Sequence, residues 1–103
     1  MDKSAILEIK SLICSVKGEY GQEVTYLKQA IKIDVDGFGE YRCRVIELIL
    51  RLATAYQNNQ QPGEAVKVLT HYQKIAEEML GMDAPLSAAI RNQLMQLCQY
   101  IKT

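Results

Sequence analysis

The chain contains no tryptophan, one phenylalanine and only two prolines. Because proline interrupts helices, its scarcity leaves long stretches in which helices can form. Cysteine is also scarce, since Cys14, Cys43 and Cys98 are far apart and odd in number. Such cysteines do not make the dense, even framework of a disulfide-stapled secreted domain, so we expect a reducing, cytoplasmic location.

Long hydrophobic runs and an excess of one charge are missing as well. No apolar run approaches the roughly 18 residues of a transmembrane helix, and the N-terminal run is too short for a signal peptide. Among 103 residues, 12 Lys and Arg balance 12 Asp and Glu. Nucleic acids and anionic membranes both attract clusters of basic residues. We therefore expect no direct nucleic-acid partner and no membrane partner.

The residues that catalysis and metal binding usually require are few. His71 is the only histidine, and the sequence places no nucleophile, base or metal ligand beside it. Cys14 and Cys98 fall at equivalent positions of the repeat described below, which favours interior packing over redox or metal chemistry. Cys43 lies between two arginines that favour a thiolate, but we interpret it as an ordinary helix residue. We expect no enzymatic activity, no metal and no cofactor.

One acidic segment has part of a calcium-loop pattern. In DVDGFGEYRCRV, Asp34, Asp36 and Gly39 stand at the first, third and sixth loop positions. Phe38 and Val45 then occupy the fifth and twelfth positions, where oxygen ligands are required. We therefore predict a linker rather than a calcium site, with its glycines breaking the helical pattern.

Apolar residues recur at steps of three and four through most of the chain, which is the spacing of amphipathic helices. In the first segment the pattern runs through Ile6, Ile9, Ile13 and Val16. Four further segments show it, and strand alternation is nowhere sustained. Five helices joined by short loops predict an all-α domain of antiparallel neighbours.

The helical segments repeat with a period of 42 residues. A shift of 42 places Cys14 on Tyr56 and then Cys98, and it places Leu27 on Leu69. The polar break VKGEYGQEV falls on NNQQPGEAV. The repeated unit is a helix, a break and a second helix. It covers residues 4–36 and 40–81, and a fifth helix over 84–102 begins a third unit.

The stretch LATAYQNNQQPGEAVKVLTHYQKI resembles a tetratricopeptide repeat. The residues that match are Leu52, Ala53 and Tyr56 in the first helix and Glu64, Ala65 and Leu69 in the second. The first unit departs from the pattern, because Lys10 and Glu23 stand where Leu and Ala are expected. The spacing of 42 is similar to that of longer-helix variants of the family.

The resemblance implies two stacked antiparallel helical hairpins plus a C-terminal capping helix, an α-solenoid. It also implies that the first helix of each unit lines a concave groove for an extended or helical segment of a partner protein. The groove-facing residues it implies are Glu8, Leu12, Val16, Glu47, Leu50, Thr54, Gln57, Asn58, Asn92, Gln96 and Tyr100.

We therefore expect a protein–protein interaction module. Its role would be that of an adaptor, a secretion-type chaperone, or a regulatory domain that senses a peptide or partner. The alternative is a self-associating structural or regulatory protein, because a two-and-a-half-repeat stack leaves an apolar end at helix one. The residues at that end are Ile6, Leu7, Ile9, Leu12 and Ile13, and they would form a homodimer.

Overall fold

The computed structural model describes residues 3–102, with side chains described for residues 3–99. The described residues form five α-helices and no strand: α1 (Lys3–Lys17), α2 (Tyr20–Phe38), α3 (Cys43–Asn58), α4 (Pro62–Leu80) and α5 (Pro85–Lys102). Each helix packs against the next along the chain, and α3 also contacts α5. The prediction of an all-α domain with five helices is confirmed.

The domain is a thin slab that measures 34 × 32 × 18 Å. Packed helices lie about 8–10 Å apart, so a thickness of 18 Å corresponds to two layers of helices. In such an arrangement one side of a helix meets the other layer, and the opposite side is available to solvent or to a partner.

α3 is the central helix, and half of its 16 residues are buried. The buried residues are Val45, Ile46, Leu48, Ile49, Leu52, Ala53, Ala55 and Tyr56. They form a broad apolar stripe because steps of three and four return to the same side of a helix. The core is completed by α2, α4 and α5, where Leu27, Leu69 and Ile90 are fully buried.

The breaks between helices have identifiable causes. Gly18 and Gly81, which follow the last residues of α1 and α4, have positive φ values of 78° and 91°. Glycine adopts positive φ values without the steric cost that a side chain brings. Between α3 and α4, Gln60 also has a positive φ, of 62°. Pro62 occupies the first turn of α4, where its missing N–H costs no helical hydrogen bond.

The predicted break over DVDGFGEY was wrong in its first half. α2 continues through Asp34, Asp36 and Gly37 to Phe38, and only then does Gly39 leave the helix with φ 86°. The reason is tertiary, because Asp34 is buried and bound by side chains of α1 and α3. These contacts outweigh the roughly 1 kcal/mol that a helical glycine costs.

Candidate functional site

A groove of about 380 Å³ lies where α1, α3 and α5 meet. Pockets that bind small ligands or side chains span about 300–1,000 Å³, so the groove lies at the lower end of that range. Its lining residues are Leu12 and Ser15 of α1, Glu23 of α2, Leu50, Arg51 and Thr54 of α3, and Ala89 and Gln93 of α5. Three of the eleven predicted site residues are therefore brought together: Leu12, Leu50 and Thr54.

The other predicted site residues lie elsewhere on the surface. Val16 is 89% exposed on α1, beyond the end of the groove lining. Five more are exposed or half-buried and do not line the groove: Glu47, Gln57, Asn58, Asn92 and Gln96. Tyr100 lies in α5, but its side chain falls outside the described residues. Glu8 faces α3 and is paired there.

Sequence reasoning missed Arg51 and Gln93, although the repeat offers a signal for both. A shift of 42 places Arg51 on Gln93, and each stands one residue after a predicted groove position. The side chain of Gln93 also donates a hydrogen bond of 3.1 Å to the Thr54 hydroxyl, which joins α5 to α3. On α3 and α5 the groove lining thus also includes residues one position after the predicted ones.

Glu8 joins α1 to α3 through two arginines. Its Oε1 accepts a hydrogen bond of 2.9 Å from Arg51 Nη1, and its Oε2 lies 3.3 Å from Arg44 Nη1. Arg51 Nη2 also donates to the Ser11 hydroxyl at 3.0 Å. Charge-assisted bonds of this length are among the stronger hydrogen bonds in proteins. Glu8 therefore helps to hold α1 against α3, two of the helices that line the groove.

The same network extends to α2 through Asp34, which is 4% exposed. Asp34 Oδ2 accepts hydrogen bonds from Arg44 Nε at 2.9 Å and from the Ser4 hydroxyl at 2.8 Å. Arg44 Nη2 donates in turn to Ser4 Oγ at 3.0 Å. The acid that headed the calcium-loop pattern thus ties three helices together, so its environment is that of a structural ion pair.

Glu23 differs from these acids, because it is buried without such partners. Its side chain lines the groove, the residue is only 6% exposed, and Oε1 is fully buried with no hydrogen-bond partner among the described residues. Burial raises the pKa of Glu23, since desolvation penalises the charged form, and the nearby Arg51 cation opposes that shift. The groove lining therefore includes a carboxyl group with one buried oxygen that the described part of the protein leaves without a hydrogen-bond partner.

A second surface feature is the outer face of α1. Four large aliphatic side chains, Ile6, Ile9, Leu12 and Ile13, are 40–50% exposed. Leu7, which the sequence grouped with them, packs against the core instead. The residues that α1 buries are Ser4, Ser11 and Cys14. The Ser4 hydroxyl bonds to Asp34 and Arg44, and the Ser11 hydroxyl bonds to Arg51. These hydrogen bonds hold the serine side of α1 against the other helices, so the aliphatic side faces outward.

The prediction of an interior Cys98 was wrong. Cys14 is buried, whereas Cys43 and Cys98 are exposed, and all three are free thiols. Cys98 lies on α5 beside Gln73 of α4, at a surface that no later helix covers within the described residues. The equivalent Tyr56 is buried because α4 packs against α3.

Three further features bear on histidine chemistry, metal binding and membrane insertion in the described part of the chain. His71 Nε2 lies 3.4 Å from Glu40 Oε2, and both side chains are exposed. Within the residues with described side chains, no group of three or more His, Cys, Asp or Glu could hold a metal ion. No helix within residues 3–102 combines the length and hydropathy needed to cross a bilayer.

Comparison with known proteins leaves function to be argued from geometry. Searches against protein-family models and against curated proteins return no match for this chain. The features that carry a functional argument are therefore the groove between α1, α3 and α5, the unsatisfied Glu23 within it, and the aliphatic face of α1.

Proposed function

We propose that this domain is a tetratricopeptide-like interaction module that binds a segment of a partner protein in the α1–α3–α5 groove. The observation that carries the proposal is the groove lining. It is made mainly by the first helix of each repeat unit, which is the arrangement that the resemblance implies. Grooves between helices commonly bind extended or helical peptide segments.

The repeat itself supports this assignment. Several positions related by a shift of 42 are buried in both units, as in the pair Leu27 and Leu69 and the pair Leu48 and Ile90, all at most 2% exposed. Stacked hairpins bury equivalent positions in successive units in this way. The α1–α2 and α3–α4 pairs are then the two hairpins, and α5 caps the stack.

The groove offers two kinds of contact to a peptide. Leu12 is 50% exposed and Leu50 is half-buried, so both can gain burial against an apolar side chain of the partner. Thr54 and Gln93 supply a hydroxyl and an amide for polar contacts. We infer that the domain binds partners as an adaptor, chaperone or regulatory domain and is not an enzyme. We also infer a reducing, cytoplasmic location, which the three free thiols support.

Replacing both Leu12 and Leu50 with alanine is expected to weaken peptide binding by about 10- to 100-fold, because buried anchors carry much of a binding energy. The measurement is selection from a displayed library of random 12-residue peptides, followed by titration of the selected peptides. Ile33→Ala with Val66→Ala is the matched control, since it truncates one exposed and one half-buried aliphatic residue that do not line the groove.

Two results would argue against the groove. The first is that wild-type protein selects no peptides above background. The second is that the control pair loses as much affinity as the groove pair. Circular dichroism and thermal unfolding of all three proteins establish that a loss of binding is not a loss of fold.

The second candidate is self-association through the aliphatic face of α1. The favouring observation is the exposure of Ile6, Ile9, Leu12 and Ile13 on one helix at the end of the stack. Contiguous apolar surface of this kind is uncommon on monomeric proteins and often marks an interface. Light scattering over a range of protein concentrations separates the candidates, since a strict monomer removes this one.

A further inference from the structure

We infer that the groove selects partner segments that carry a lysine or arginine side chain, and that Glu23 receives this cation beside the anchors Leu12 and Leu50. The inference rests on the proposed function and specifies the chemistry of its ligand. It follows from the burial of Glu23, from the repeat and from the charges around the groove.

The burial of Glu23 is unfavourable within the isolated domain. Its Oε1 has no hydrogen-bond partner within the described part of the chain and its residue is 6% exposed, so the carboxyl group has lost water without a full replacement. The torsion that orients a glutamate carboxyl is broad and roughly two-fold. Rotation about it exchanges the two oxygens, and because Glu23 lines the groove, a basic side chain seated there can supply the partner that the carboxyl group lacks.

The repeat shows that the helical hairpin does not need an acid at this position. A shift of 42 places Glu23 on Ala65, which is completely buried at the equivalent place in the second unit. Alanine there satisfies close helix packing without desolvating a charge. The start of α2 does favour an acidic residue through the helix dipole, but an exposed residue of the first turn would gain the same benefit.

The charges around Glu23 favour a cation over an anion. Arg51 is the cation that acts on the Glu23 carboxyl, but its Nη1 is bound to Glu8 and its Nη2 to Ser11. Arg51 is thus paired with Glu8, and neither of these two nitrogens bonds the Glu23 carboxyl. The neighbouring Arg44 lies against Asp34 and Glu8, so it too is paired with carboxylates other than Glu23.

The position of Glu23 also predicts the pattern of the ligand. Leu12 and Leu50 line the same groove of about 380 Å³, so a cation at Glu23 and an aliphatic side chain at the leucines must be close together. Long basic side chains suit these surroundings, because their methylene stems pack on apolar groups while the charged end makes the hydrogen bond. We expect a Lys or Arg within a few residues of a large aliphatic residue.

The test uses the full chain and the random 12-residue peptide library, displayed to wild type, Glu23→Gln and Glu23→Ala. Wild type is expected to enrich peptides with a basic residue at one fixed distance from an aliphatic one. One selected peptide is then titrated with its Lys or Arg intact and with that residue replaced by methionine. Wild type should lose at least about tenfold in affinity with the methionine peptide, and Glu23→Gln should bind both peptides alike.

The outcomes separate this inference from the function on which it rests. Selected peptides that depend on Leu12 and Leu50 but lack a basic position overturn the inference and leave the groove in place. The inference also fails if Glu23→Gln keeps the full preference for the basic peptide, or if acidic residues are enriched. Selection that is indifferent to Leu12 and Leu50 overturns the groove itself. Thermal unfolding of both Glu23 variants establishes that they are folded.

Discussion

Arg44→Met is expected to destabilise the domain by about 2–3 kcal/mol. The substitution keeps a long apolar stem but removes the group that binds the buried Asp34 at 2.9 Å, Ser4 at 3.0 Å and Glu8 at 3.3 Å. Removing one member of a fully buried ion pair costs about 3–5 kcal/mol. We expect less here because the Arg44 side chain is 34% exposed and Arg42 remains 3.9 Å from Asp34.

The measurement is urea unfolding at neutral pH, with Lys32→Met as the matched control. Lys32 pairs with Asp36 at 3.4 Å, but both side chains are more than 60% exposed. Exposed pairs contribute about 0–1 kcal/mol, so the control should stay within about 0.5 kcal/mol of wild type. Equal effects of the two substitutions would show that the Arg44 network does not hold α1, α2 and α3 together.

Glu23→Ala is expected to stabilise the domain by about 1–2 kcal/mol at pH 7. The alanine removes a buried oxygen for which the described residues supply no partner, and a buried unsatisfied polar group costs about 1–3 kcal/mol. The substitution also introduces the residue found at the equivalent position of the second unit, Ala65. Alanine has a slightly higher helix propensity than glutamate, which acts in the same direction.

The gain should depend on pH in a defined direction. Burial raises the pKa of Glu23 in the folded state above its ordinary value of 4.5. Below pH 4.5 the carboxyl is neutral in both folded and unfolded states, so wild type carries the smallest penalty there. As pH rises through the folded-state pKa, wild type loses that advantage. The difference between Glu23→Ala and wild type should therefore grow from pH 4 to pH 7, the range over which unfolding is followed.

Glu64→Ala is the control for this second experiment. Glu64 stands in the first turn of α4 as Glu23 stands in the first turn of α2, but it is exposed and pairs with Lys67 at 3.5 Å. Its removal should cost about 0.5 kcal/mol through the lost pair and helix dipole. If Glu23→Ala behaves like Glu64→Ala at every pH, the carboxyl of Glu23 is not destabilising in the folded domain.

Much of the fold could be predicted because its causes are local. The helices follow from apolar residues that recur at steps of three and four. The helix ends at Gly18 and Gly81 and the turn before Pro62 follow from backbone preferences that act within a few residues. The end of α2 was missed for the opposite reason. Asp34 and Gly37 belong to a helix that is held by Ser4 and Arg44, which lie 30 and 10 residues from Asp34.

The site could be predicted only in part. Leu12, Leu50 and Thr54, which the resemblance implied, do line the groove. Whether an individual polar residue faces the groove or a neighbouring helix depends on how the helices pack against one another. That packing decides that Glu8 is bound to arginines and that Gln93 lines the groove.

The amino-acid sequence by itself determined five helices, a 42-residue period and a composition with one histidine and three separate cysteines. These properties depend on residue type and on spacing along the chain. Only the tertiary structure decided which acids are satisfied. Asp34 lies against Arg44, whereas Glu23 lies in the groove with Oε1 unpartnered by any described residue. The sequence does not distinguish one acidic residue from another of the same type. The free energy of a buried carboxyl group depends on the groups that distant parts of the chain place beside it.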